Sequence, residues 1–200
     1  MRGNYTSILN KDKVGNLFVY LASRIDNLFL TKLLKLTYII DELSVKETNS
    51  PVTWLNYKVW KNGPVAPKIH HNFTYENATE FTEFIDLEIV PQANNGLKIK
   101  AKKEFDDSEF TDYEIELINR VVSKYGSLNS SQLIQLLHEE NTLWHKIVEQ
   151  RGLAKIFESN EDANTSPYEI DLKELIKEPY MREMFDEMNE NMRFKQCLEA

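Results

Sequence analysis

Four histidines and one cysteine are the residues of this 200-residue chain best equipped for metal or nucleophilic chemistry. His70 and His71 are adjacent, so on a helix their rings point about 100° apart and chelate poorly together. His138 and His145 flank Glu139, Glu140 and Trp144, but the run is His-Glu-Glu-Asn-Thr. A zinc-binding helix needs His-Glu-x-x-His, which sets two imidazoles one turn apart. No other stretch supplies the usual ligand spacing. Cys197 stands near the end of the chain with no histidine close in sequence, and reads as a bystander thiol. The six glycines are scattered, and Lys61-Asn62-Gly63-Pro64 reads as a turn instead of a phosphate-cradling loop. The expectation is a protein that is not an enzyme, with no catalytic set, no metal and no cofactor.

Nucleic-acid binding is the next chemistry to weigh. A helix over 114–125, a turn at Gly126 and a helix over 129–139 have helix-turn-helix proportions. The exposed half of a recognition helix must carry base-reading and phosphate-binding side chains. Here that half is Ser130-Ser131-Gln132-Leu133-Ile134-Gln135, without Lys or Arg, and it runs into Glu139-Glu140. The net charge of −8 adds no attraction to phosphate. From Glu158 to Ala200 the chain has 12 acidic and 5 basic residues, a balance of −7, leaving −1 for residues 1–157. The acidity belongs to the C-terminal part, where it favours a basic protein partner or simply keeps the chain soluble.

Hydrophobic residues make up 42% and charged residues 28%, the balance of a folded domain. No apolar run approaches the roughly 18 residues of a membrane span. The start, Met1-Arg2-Gly3-Asn4-Tyr5-Thr6-Ser7, leads into no hydrophobic stretch, so no secretory signal is expected. A lone cysteine cannot form an internal disulfide. Together these point to the cytoplasm.

The elements that would position any site follow from periodicity. Val14, Leu17, Phe18 and Leu21 mark a first amphipathic helix. Asp26-Asn27 is placed to cap a second, over 29–43, with Leu30, Leu33, Leu34 and Ile40 inward and Lys32 and Lys35 at its margin, facing solvent or a partner. Residues 54–61 read as a strand, and Pro64 as the start of a short helix reaching Phe73. Strands over 84–90 and 97–105 join through a turn at Asn95-Gly96. Thr111-Asp112-Tyr113-Glu114 has the form of a capping box, opening a helix that stops at Gly126. Asn129 caps the next, with Leu133, Leu136 and Leu137 inward, and Leu143-Trp144 with Ile147-Val148 suggest another. Ser159 to Pro167 reads as a linker. Beyond it, 168–176 and 180–198 read as a helical arm, with Met181, Met184, Phe185, Met188 and Met192 at helical spacing. That arm could lie on the body or offer an adaptable surface. The fold class is α+β, predominantly α-helical, with a small β-sheet or hairpin. A domain over 1–157 is followed by an acidic C-terminal helical extension over 158–200.

These segments resemble the Panacea antitoxin domain. The likeness rests on Leu30-Thr31-Lys32-Leu33 continuing to Tyr38, then Tyr57 to Val65 with its Tyr-x-x-Trp-x-x-Gly-Pro-Val pattern. Thr111 to Val122, Tyr125-Gly126, Leu133 to Glu139 and Trp144 complete the ordered set, over about residues 13–150. Leu143 stands where family members often have proline, which leaves the local turn open. The resemblance implies an antitoxin of a toxin–antitoxin pair, often phage-borne, that binds its cognate toxin directly. In one SocA-like subgroup it implies an adaptor that delivers the toxin to a cytoplasmic protease. The alternative is a phage- or mobile-element-associated interaction or regulatory protein without a toxin. The motif residues are Lys32, Lys35, Tyr38, Tyr57, Trp60, Gly63, Pro64, His138 and Trp144. Core packing and partner contact both remain open for the aromatics, and Gly63-Pro64 reads mainly as backbone geometry.

Overall fold

In the computed structural model, which describes residues 10–75, 79–91, 96–160 and 163–199, a single buried helix organises everything else. Helix α1 (Lys11–Arg24) buries Val14, Leu17, Phe18 and Leu21 as their spacing requires, with Asn10 capping it through its side chain. Gly15 is where α1 meets the ring of Phe84, since a Cβ there would lie 2.5 Å from the ring. Helix α2 (Leu30–Thr48) is buried on almost every side. That is the pattern of a helix surrounded by neighbours, and each buried Leu or Phe around it contributes roughly 1.5–3 kcal/mol.

The boundaries of α2 differ from the sequence reading. Asp26-Asn27 does not cap it: the helix starts at Leu30 behind Phe29, whose extended backbone bridges to Lys98. It also runs on to Thr48, where Asn49 ends it in the left-handed conformation with φ 63°. Lys32 and Lys35 are not marginal. Both are buried, because the helices Asp112–Tyr125 and Ser130–Leu137 and the first hairpin close over them.

That hairpin is β1 (Tyr57–Trp60) turned through Lys61-Asn62 into β2 (Gly63–Val65). The strand is shorter than 54–61, since Trp54 sits at φ +55° and belongs to the preceding loop. Pro64 starts no helix. It occupies an edge strand opposite Val59, where its missing N–H breaks no ladder bond. Helix α3 begins later, as Pro67–Tyr75. After a 3₁₀ turn (Thr79–Phe81), β3 (Ile85–Val90) and β4 (Gly96–Ala101) pair antiparallel. The expected turn residue Asn95 lies outside the described residues, and β4 ends four positions short of Phe105.

Helix α4 (Asp112–Tyr125) opens with the expected capping box, Thr111 and Glu114 exchanging hydrogen bonds, and ends at Gly126. Helix α5 (Ser130–Leu137) has a second box formed by Asn129 and Gln132. Helix α6 (Leu143–Gln150) is capped by Thr142, so Leu143 takes the first helical position with no disturbance of the turn. Helix α7 (Leu153–Ser159) was not anticipated from its spacing.

Residues 168–176 are not helical as expected. They form β5 (Glu169–Ile170), which adds antiparallel to β1, and a 3₁₀ turn (Leu172–Leu175). The sheet order is thus β2-β1-β5, and Ile170, Leu172 and Ile176 are buried. Helix α8 (Pro179–Glu199) follows, with Phe185 buried against Trp54 and Met181, Met184 and Met188 exposed. The side chain of Cys197 lies outside the described residues. Among the described residues, no helix is long and apolar enough to cross a membrane.

Candidate functional site

The motif residues gather around α2, whose polar groups recur at about one-turn intervals, Lys32, Lys35, Tyr38 and Asp41, in a row that winds round the helix from one side to the other. Spacing of three makes each member a neighbour of the next. Each is tied to a different piece of the chain.

Lys32 donates from Nζ to the carbonyl of Gly126 at 2.6 Å, fixing the end of α4. Lys35 donates to the carbonyl of Pro64 at 2.7 Å, and its side chain is almost fully enclosed at 1% exposure. Burial pulls its ammonium down to about 7. Gly63 makes this approach feasible. It has φ +98°, and a Cβ there would stand 3.3 Å from Lys35 Nζ and 3.7 Å from His138 Nε2. Only glycine accepts both demands without strain.

His138 follows the last turn of α5 and stacks flat on Trp144, with centroids 3.6 Å apart and planes within 2°. Its Nε2 is buried without a hydrogen-bond partner among the described residues. Burial first, then the charges of Lys35 and His145, push its imidazole down to about 4, so the ring is neutral at physiological pH. Trp144 in turn donates from Nε1 to the carbonyl of Trp60 at 2.8 Å. The Trp60 ring meets His70 edge-on at 4.7 Å. His145 places Nδ1 3.1 Å from the carbonyl of His138.

One turn further along α2, Tyr38 packs edge-to-face on Tyr57 with centroids 5.0 Å apart. Its hydroxyl has no partner among the described residues, and burial raises its ionisation well above the ordinary tyrosine range. Tyr57 donates to Oδ2 of Asp41 at 2.7 Å. Asp41 Oδ1 accepts the amides of Val52 and Thr53 at 2.9 and 2.8 Å, and Oδ2 also bonds the Thr53 hydroxyl. Full burial raises this carboxyl to about 6 against the opposing pull of those donors. Asp41 is absent from the sequence-based set. The signal available for it was the Asp41-Glu42 pair following Ile39-Ile40 inside an apolar run.

The residue set therefore divides. Lys32, Lys35, Tyr38, Tyr57, Gly63, Pro64 and Trp144 are buried, while Trp60 and His138 are only partly covered. Trp60 lines an open cavity of about 390 Å³ with Asn62, Val65, His70, His71 and Tyr75. His70 meets Trp60 in this cavity, His71 lines the same cavity and packs on Tyr75, and His145 lies beside the His138 carbonyl. The enclosed amine and imidazole hold backbone and rings in place. In chemical terms this is a clamp that fixes the β1–β2 hairpin to α2, α5 and α6.

The model of the antitoxin SocA-like, Panacea domain matches residues 33–145, more than half of the chain. The chain belongs to this family. No curated protein and no solved structure matches it. The matched span runs from Leu33 in α2 to His145 in α6, so the whole clamp except Lys32 is Panacea-domain structure. The sequence beyond residue 145, including β5 and α8, lies outside the match.

Proposed function

We propose that this protein is an antitoxin that neutralises a cognate toxin by direct binding, covering the toxin's surface without making or breaking a bond. Membership of the Panacea family carries this reading, because it gives the role before it gives any partner. The clamp is consistent with it. Lys35, Asp41 and Trp144 are spent on internal hydrogen bonds, which leaves recognition to side chains at the surface such as the partly covered Trp60 and the exposed Tyr75, Met181, Met184 and Met188. Large aromatics held on a fixed frame are effective anchors at protein interfaces. The test is co-expression with the product of the neighbouring gene. Growth rescue together with a co-eluting complex is expected; growth arrest with no complex would reject the reading.

A further inference from the structure

A cavity of about 200 Å³ opens between the Trp54 loop, β5 and α8. Trp54 and Phe185 form its aromatic wall, their rings 5.2 Å apart and tilted by 33°. Every charged residue in its lining is acidic: Glu169, Asp171 and Asp186. Asp186 pairs with Lys173 Nζ at 2.8 and 2.9 Å, and Asp171 caps the 3₁₀ turn through the Lys173 amide. Glu169 is exposed and has no ion pair among the described residues. Trp54 is held at φ +55°, a strained conformation for a bulky residue, by a loop whose Val52 and Thr53 amides are bound to Asp41. On the helix that supplies Phe185, Met184 and Met188 are exposed on either side of it in sequence.

We propose that this cavity receives the guanidinium of an arginine on a basic protein partner, whose neighbouring apolar side chains lie over Met184 and Met188. The inference rests on the reading that the protein acts by binding another protein. A planar cation is the group that both an aromatic wall and free carboxylate oxygens attract, and a guanidinium can stack and pair in the same pose. The acidic balance of −7 over residues 158–200 steers a basic partner to this side and opposes a second copy of the same acidic chain. Thioethers adapt to whatever apolar groups accompany the cation.

The experiment is a titration of the full chain, followed by the indole resonance of Trp54, assigned with Trp54→Phe. The probe is a synthetic amphipathic peptide with leucines on one face and arginines on the other, run beside the same peptide with citrulline for arginine. The arginine peptide is expected to shift the Trp54 resonance and to bind about tenfold more tightly than the citrulline peptide. Glu169→Lys is expected to weaken it by a further factor of about five, and the milder Glu169→Gln by less, at unchanged melting temperature. Equal binding of the two peptides, indifference to both Glu169 variants, or shifts confined to Trp60 and Trp144 would overturn the assignment. So would concentration-dependent self-association in sedimentation that Glu169→Lys abolishes, since that puts a second copy on the face. Growth rescue separates the two levels: wild type failing to rescue rejects the antitoxin reading, whereas Glu169→Lys rescuing and binding the toxin as well as wild type rejects only the arginine site.

Discussion

Lys35 Nζ donates to the carbonyl of Pro64 at 2.7 Å, linking the middle of the central helix to the edge strand of the hairpin. With its folded pKa lowered to about 7 from 10.5, the folded state binds this proton less well than the unfolded state. Stability therefore rises as pH climbs from about 7 towards 10.5, and the full penalty for a buried charge is present below 7. Chemical denaturation across that window is expected to show wild type gaining on Lys35→Met, on the order of a few kcal/mol by the upper end. Parallel pH profiles would contradict it.

Burial of the Asp41 carboxyl, which outweighs its bonds to Tyr57 and Thr53, predicts an opposite slope at acid pH. The Asp41 carboxyl is raised to about 6 from 3.8, so the folded state holds its proton more strongly. Its contribution falls as pH rises through roughly 4 to 6 and is level above. Asp41→Asn is expected to remove that fall while keeping an acceptor for the Val52 and Thr53 amides. Tyr57→Phe, which leaves Oδ2 one donor short, is expected to cost about 1–3 kcal/mol at pH 7.

Two glycines with positive φ differ in both backbone strain and crowding. Gly152 has φ +62° and open space around a built Cβ, whereas Gly63 has φ +98° and the Lys35 amine at 3.3 Å. Gly63→Ala is expected to lower stability by about 1–3 kcal/mol and by more than Gly152→Ala. Equal losses in thermal unfolding would count against both differences.

Much of the helical frame was legible because it is local. The capping residues Thr111, Asn129 and the stop at Gly126 act within one turn, and the apolar faces of α1 and α4 follow from spacing alone. What failed was long-range. Lys32 and Lys35 read as marginal because their type favours solvent, and only the cover supplied by the hairpin, α4 and α5 buries them. Pro64 satisfies both a helix start and an edge strand, and its pairing with Val59 decides between them. The two-residue β5 has no periodicity to detect, and it forms because β1 offers a free edge. For the site, the sequence offers the motif residues as a set, but their contacts, such as the Trp144 donation to Trp60 across 84 positions, do not follow from local spacing.

That donation gives a further expectation. Trp144→Phe keeps a ring to stack on His138 but strands the Trp60 carbonyl, and is expected to cost about 1–3 kcal/mol. Its readout is a lower denaturation midpoint with an unchanged m-value; a changed m-value would mean that α6 itself has come loose.

The most direct test of action by contact is a titration of the purified neighbouring-gene toxin with this protein, reading residual toxin activity against molar ratio. The account predicts a linear loss that ends at a fixed stoichiometry, with full activity returning when the two are separated and the toxin's mass unaltered. Silencing by substoichiometric amounts, or a toxin that stays inactive and chemically changed after separation, would contradict it.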